Sequence, residues 1–196
     1  ENPGVAVDPT VLTLSVDRAA ITEGKTVTYT ATLNKAVEND LTVFLSNGKK
    51  ITIDAGKTSG TVESDILRED DYYVQGTESV PVTMNVVGAE NLEQFMVNNV
   101  ATTWVSDDAD ETKLTLNKVQ EGESYLYTAS IERAPQNELR IQLSDGSSVT
   151  IGANEQTCVF TRPVDDLAIV SVTAIDGNPF ALENLVFNGV DGNYTD

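Results

Sequence analysis

Carboxylates are where this chain could do chemistry. Glu23 stands before a glycine, Arg68-Glu69-Asp70-Asp71 forms one acidic run, and Asp107-Asp108-Ala109-Asp110 forms another. Acidic groups gathered from separate loops repel one another by about 1–4 kcal/mol per close pair at effective dielectrics of 80 to 20. A divalent cation removes that cost. Calcium suits such a set because it accepts about 6–8 oxygen ligands in irregular geometry, whereas magnesium demands a stricter octahedron. Other chemistries lack their residues. The 196 residues include no histidine, which removes the commonest general base and the commonest imidazole ligand together. Cys158 is the single cysteine, so neither an internal disulfide nor a thiolate zinc cage can form. Its alternation with Phe160 reads as a small core-facing thiol. Adjacent carboxylates such as Asp70 and Asp71 do not give the opposed placement, about 5–10 Å apart, that glycoside cleavage needs. No enzyme is expected.

Composition points the same way. The formal net charge is −19, from 31 acidic and 12 basic side chains. Nucleic-acid phosphates would be repelled by it, cations attracted, and copies of the chain kept apart as monomers. No apolar run approaches the roughly 20 residues of a membrane span and no charged-then-apolar leader opens the chain. A soluble fragment without membrane insertion is expected, any export signal lying elsewhere.

The elements that must carry these acids are legible because the chain repeats. EGKTVTYTATL from Glu23 returns as EGESYLYTASI from Glu121, a displacement of 98 residues, and SNGKKITIDAG (Ser46 to Gly56) returns as SDGSSVTIGAN (Ser144 to Asn154) at the same spacing. After a shortening of the second copy, Leu92 matches Leu182. A period near 100 is the size of an autonomous domain rather than of a solenoid unit. Val27, Tyr29, Ala31 and Leu33 alternate with threonines, as Tyr125, Tyr127, Ala129 and Ile131 alternate with Ser124, Thr128 and Ser130. Period two of this kind marks a half-buried strand. Leu41, Val43 and Leu45, and likewise Leu139, Ile141 and Leu143, lead into Asn47-Gly48 and Asp145-Gly146, which are strong hairpin signals. With Leu12 to Val16, Ile51 to Ile53, Thr61 to Glu63, Val80 to Val86 and Val100 to Val105, seven strands are expected in the first copy; about one helical turn is expected near Asn91 to Phe95. The pattern predicts an all-β chain of two tandem immunoglobulin-like β-sandwich domains without the cystine. The boundaries are an N-terminal extension over 1–10, a first sandwich over 11–107, an acidic linker over 108–111, and a shortened second sandwich over 112–196 whose last strand starts near Val186.

In a seven-strand sandwich the first, third and fifth connections share one end with the exit of the final strand. Glu23, Asn47, the Arg68 to Asp71 run and the Asp107 to Asp110 exit therefore converge. The Asp107 to Glu111 segment is too short and too charged for a flexible linker, and its self-repulsion extends it. Bridging calcium would stiffen it. Trp104 is assigned a packing role beside this exit, and Tyr72 with Tyr73 a bracing role in the fifth connection.

The strings TVTYTATLNKAVENDLTVFLSNGKKITIDAGKTSGTV, DDYYV and ENLEQFMVNNVATTWVSDD resemble the extender repeats of giant bacterial RTX adhesins of the LapA type, over Val11 to Asp107. The second copy keeps the Glu-Gly, Ser-Asp-Gly and Asp-Asp positions but lacks the aromatic fifth connection, with only Asp191 and Asp196 near its exit. The resemblance implies a surface protein exported by a type I system, in which calcium-stiffened sandwiches contact neighbouring repeats and space an adhesive tip from the cell in biofilm formation. It places calcium at Glu23, Asp70, Asp71, Asp107, Asp108 and Asp110. The competing expectation is an adhesive module for a ligand or carbohydrate, using Trp104 or the Tyr72-Tyr73 loop.

Overall fold

A computed structural model of the chain describes residues 8–92, 94–174, 182, 185–187, 190–191 and 194–195. Every regular element among them is a β-strand. The chain divides into two compact units, one of residues 1–70 and 77–106, the other of residues 71–76 and 107–196.

The first unit contains β1 (Val11–Val16), β2 (Ala20–Thr22), β3 (Thr28–Leu33), β4 (Leu41–Leu45), β5 (Lys50–Ile53), β6 (Ser59–Glu63), β7 (Glu78–Val87), β8 (Met96–Asn98) and β9 (Val100–Ser106). All seven strands expected from alternation are present, and two short ones, β2 and β8, are added. One sheet has the order β6-β3-β1-β8 and the other β2-β9-β7-β4-β5. Their inner faces meet over Leu12, Tyr29, Ala31, Val43, Ile51, Ile53 and Val82, all buried. Each fully buried aliphatic side chain of this kind contributes about 1.5–3 kcal/mol. The Val27, Tyr29, Ala31, Leu33 face is the buried one, as the alternation predicts. Where about one helical turn is expected, Asn91 and Gln94 lie in turns, the Leu92 N–H donates to the Ala89 carbonyl at 3.0 Å and Gln94 has φ 49; Glu93 lies outside the described residues.

The β4–β5 hairpin is closed by the Leu45 N–H on the Lys49 carbonyl at 2.8 Å and the Gly48 N–H on the Leu45 carbonyl at 3.0 Å. Gly48 sits at φ 85. This is the three-residue loop that needs glycine in the left-handed region at its end. The second unit repeats it at Gly146, with φ 84.

The entry to the first unit differs from a simple strand. The chain bends over Asp17 to Ala19, leaves β1 and its sheet, and re-forms as β2 in the opposite sheet, where Ala20, Ile21 and Thr22 pair in parallel with Trp104, Val105 and Ser106. Ile21 and Val105 are buried. That crossing brings Glu23 to the end of β9, where its N–H donates to the Ser106 carbonyl at 2.9 Å.

The second unit contains β10 (Thr112–Glu121), β11 (Ser124–Ile131), β12 (Leu139–Leu143), β13 (Ser148–Ile151), β14 (Thr157–Arg162), β15 (Ile169–Ala174), β16 (Leu185–Phe187), β17 (Val190–Asp191) and β18 (Tyr194–Thr195). Its sheets run β14-β11-β10-β16-β17 and β13-β12-β15-β18. Leu114, Ala129, Ile141, Ile151 and Val172 form the core, and Tyr72, Tyr73 and Cys158 pack against it. Here β10 does not cross over. It pairs with β11 from Leu114 to Glu121 without a break. Val119, the counterpart of Ile21, is 65% exposed, and Glu121, the counterpart of Glu23, is exposed too.

Candidate metal centre

Glu23 is 1% exposed, the only carboxylate among the fully or nearly fully buried residues described. Its loop is fixed by backbone: the Gly24 N–H donates to the Arg68 carbonyl at 2.9 Å and the Leu67 N–H to the Lys25 carbonyl at 3.2 Å. Gly24 has φ 71, and a Cβ there would lie 3.1 Å from the Asp70 Cβ. Glycine is thus required both by conformation and by the approach of Asp70. The Arg68 Nε donates to the Glu23 Oε2 at 3.1 Å, with side chains 11% and 0% exposed. Removing a carboxylate this far from water is unfavourable unless a counter-charge accompanies it, which Arg68 supplies.

Asp70 is exposed and Asp108 half-buried; each, with Glu23, presents one carboxylate oxygen such that the three lie within 4.8 Å of one another. Asp108 follows by two residues the Ser106 whose carbonyl holds Glu23. The Asp108 Oδ1 is buried with no hydrogen-bond partner. A buried acceptor left unsatisfied costs about 1–3 kcal/mol, more when charged. An all-oxygen donor set with an orphaned buried oxygen fits a hard cation, with Glu23, Asp70 and Asp108 as the residues that would hold it.

The other expected ligands, Asp71, Asp107 and Asp110, do not join this group. The Asp71 Oδ1 accepts the Tyr73 N–H at 2.8 Å and its Oδ2 accepts the Gln75 side-chain amide. The Asp107 Oδ2 accepts the N–H groups of Gln75 at 3.0 Å and Gly76 at 2.8 Å. These two acids organise the 71–76 segment. Asp110 lies half-buried in the strand-free stretch that follows β9 and does not join the three-carboxylate group.

Tyr72 and Tyr73 brace the 71–76 segment, as expected, and do so within the second unit. The Tyr73 hydroxyl donates to the Ala134 carbonyl at 2.8 Å, Tyr73 bridges to Leu182, and the Arg133 guanidinium lies 3.3 Å from the Tyr72 ring centroid. Burial first, then the nearby Asp71 charge, pushes the Tyr73 phenol upward. Trp104, given a packing role from sequence, is instead 52% exposed on β9, because Val105 takes the inward position. Cys158 is half-buried opposite Ala129, and burial raises its thiol pKa.

Sequence reasoning missed Arg68 as the partner of Glu23 and missed the strand crossing that buries Glu23. In the sequence Arg68 is the one basic member of an otherwise acidic run. The only signal for the crossing was the polar break Asp17-Arg18 before the short apolar Ala20-Ile21. Of the second copy's exit acids, Asp191 is described only as backbone in β17, and Asp196 lies outside the described residues.

Two units that share one strand pattern make the chain a tandem repeat of one domain type. The LapA domain model matches residues 8–108 and again 110–188. The chain belongs to the LapA domain family, an adhesin-related class. No curated protein matches the sequence. Solved structures to which the chain is similar include CBD12 from CALX1.2, at 11% identity, covering 84% of this chain and 82% of that one, with a TM-score of 0.37. The Salmonella enterica SafA pilin in complex with the SafB chaperone is similar at 12% identity, covering 79% and 85%, with a TM-score of 0.36. The type II cohesin dyad from the adaptor ScaA scaffoldin of Acetivibrio cellulolyticus is similar at 10% identity and a TM-score of 0.31; the match covers 68% of this chain and spans 61% of the dyad.

Proposed function

We propose that this chain is a non-enzymatic extender module of a bacterial cell-surface RTX adhesin. In this reading calcium binds Glu23, Asp70 and Asp108, stiffens the connection that follows β9, and lets tandem sandwiches space an adhesive region from the cell in a biofilm. Export by a type I system and an extracellular, monomeric state belong to the same reading. The observation that carries it is the grouping of three carboxylates, each offering an oxygen within 4.8 Å of the others, one of which, Asp108, has a buried Oδ1 without a hydrogen-bond partner. Calcium would supply positive charge; the chain's own residues supply the oxygens, and backbone bonds hold the Glu23 loop. Small-angle scattering of the chain in calcium and in chelator tests the mechanical part: a longer, better-defined particle is expected with calcium, and superimposable profiles would remove it.

A second reading, an adhesive module for carbohydrate or another ligand, is favoured by the exposure of Trp104 on β9, since an accessible indole can stack on a sugar face. Binding on a glycan array that is lost in Trp104→Ala would establish it, and an array without signal would dismiss it.

A further inference from the structure

The pocket contains its own cation. The Arg68 Nε lies 3.1 Å from the Oε2 of Glu23, almost wholly out of water, and Glu23 is one of the three carboxylates that offer oxygens within 4.8 Å of one another. We infer that Arg68 is the internal rival of a divalent ion at Glu23, Asp70 and Asp108, balancing the pocket when it is metal-free and lowering the affinity with which calcium is held. This rests on the calcium reading above.

The physical argument is one of charge and distance. A guanidinium in contact with Glu23 and a divalent ion on the same carboxylate would repel each other as like charges a few ångströms apart. At an effective dielectric of 80 their repulsion corresponds to about tenfold in a dissociation constant, and to more at lower dielectric. Arg68 also uses one of the two Glu23 oxygens as its acceptor. Its effect is to protect the fold when calcium is scarce and to set the concentration above which the metal takes over. Two backbone bonds that do not use the guanidinium also hold these loops, the Gly24 N–H on the Arg68 carbonyl and the Leu67 N–H on the Lys25 carbonyl.

Calorimetric titration of calcium into the full chain, wild type beside Arg68→Met and Arg68→Gln, tests the inference, with thermal melts in chelator alongside. Methionine keeps the apolar stem; glutamine also keeps an N–H for Glu23 and serves where methionine fails to fold. The expected result is calcium binding about tenfold tighter or more in the neutral variants, together with a lower melting temperature in chelator that calcium restores. Equal or weaker binding in a folded neutral variant, with the wild type binding normally, overturns the role of Arg68 and leaves the calcium reading intact. Absence of calcium binding in the wild type and both variants overturns the calcium reading itself, and this inference with it.

Discussion

Tyr29 and Tyr127 occupy the same place in the two copies and meet different fates. The Tyr127 hydroxyl donates to the Val164 carbonyl, whereas the Tyr29 hydroxyl is buried with no hydrogen-bond partner, and burial raises its pKa. Tyr29→Phe is therefore expected to leave stability unchanged or raise it by about 1 kcal/mol, and Tyr127→Phe to lower it by about 1 kcal/mol. Urea melts of both variants check the pair; equal losses would contradict the difference in bonding. The residue scale is also where the sequence was most informative about identity and least about environment. Alternation placed Tyr29, Ala31 and Leu33 inside, because period two leaves no other face. It could not distinguish a satisfied hydroxyl from an orphan, nor show that Arg68 turns toward Glu23, because those depend on contacts between residues 37 to 45 positions apart in the chain.

Elements were legible where local pattern decides them and opaque where pairing does. The two glycine hairpins, at Gly48 and Gly146, follow from turn chemistry alone. The crossing of β2 does not: Ile21 and Val119 are both apolar at matching positions, yet Ile21 pairs with Val105 of β9 whereas Val119 pairs with Leu126 of β11. Among the described residues of the second unit β18 pairs with β15 instead, and β10 continues with β11. The same contrast governs the sheet edges. Gly60 faces Ala31 as Cys158 faces Ala129, but a Cβ at Gly60 would stand 2.3 Å from the Thr52 carbonyl oxygen and 2.8 Å from the Ile51 Cγ2. Gly60→Ala should destabilise the first unit by about 1–3 kcal/mol, while Cys158→Ala, a modest loss of packed volume, should cost less. Calorimetry resolving the two units would show which transition moves. The 71–76 segment yields a third expectation. Tyr73→Phe, losing the bond to Ala134, should lower the stability of the second unit by about 1 kcal/mol although the residue lies early in the chain. A shift confined to the first unit's transition would contradict that assignment.

At the scale of the whole molecule, the chain passes from one unit to the other three times, after residues 70, 76 and 106. Two of those passages border Asp70 and Asp108. With a net charge of −19 the molecule repels itself, and bound cations offset part of that repulsion. An ion held only by the folded chain stabilises it by mass action, about 2.7 kcal/mol at a concentration a hundred times the dissociation constant. The most direct measurement is therefore a pair of thermal melts, in chelator and in millimolar calcium, on the wild-type chain and on Asp108→Asn. A rise of several degrees with calcium in the wild type, reduced or lost in the variant, is what the three-carboxylate centre predicts. Coincident wild-type melts in calcium and chelator would contradict it.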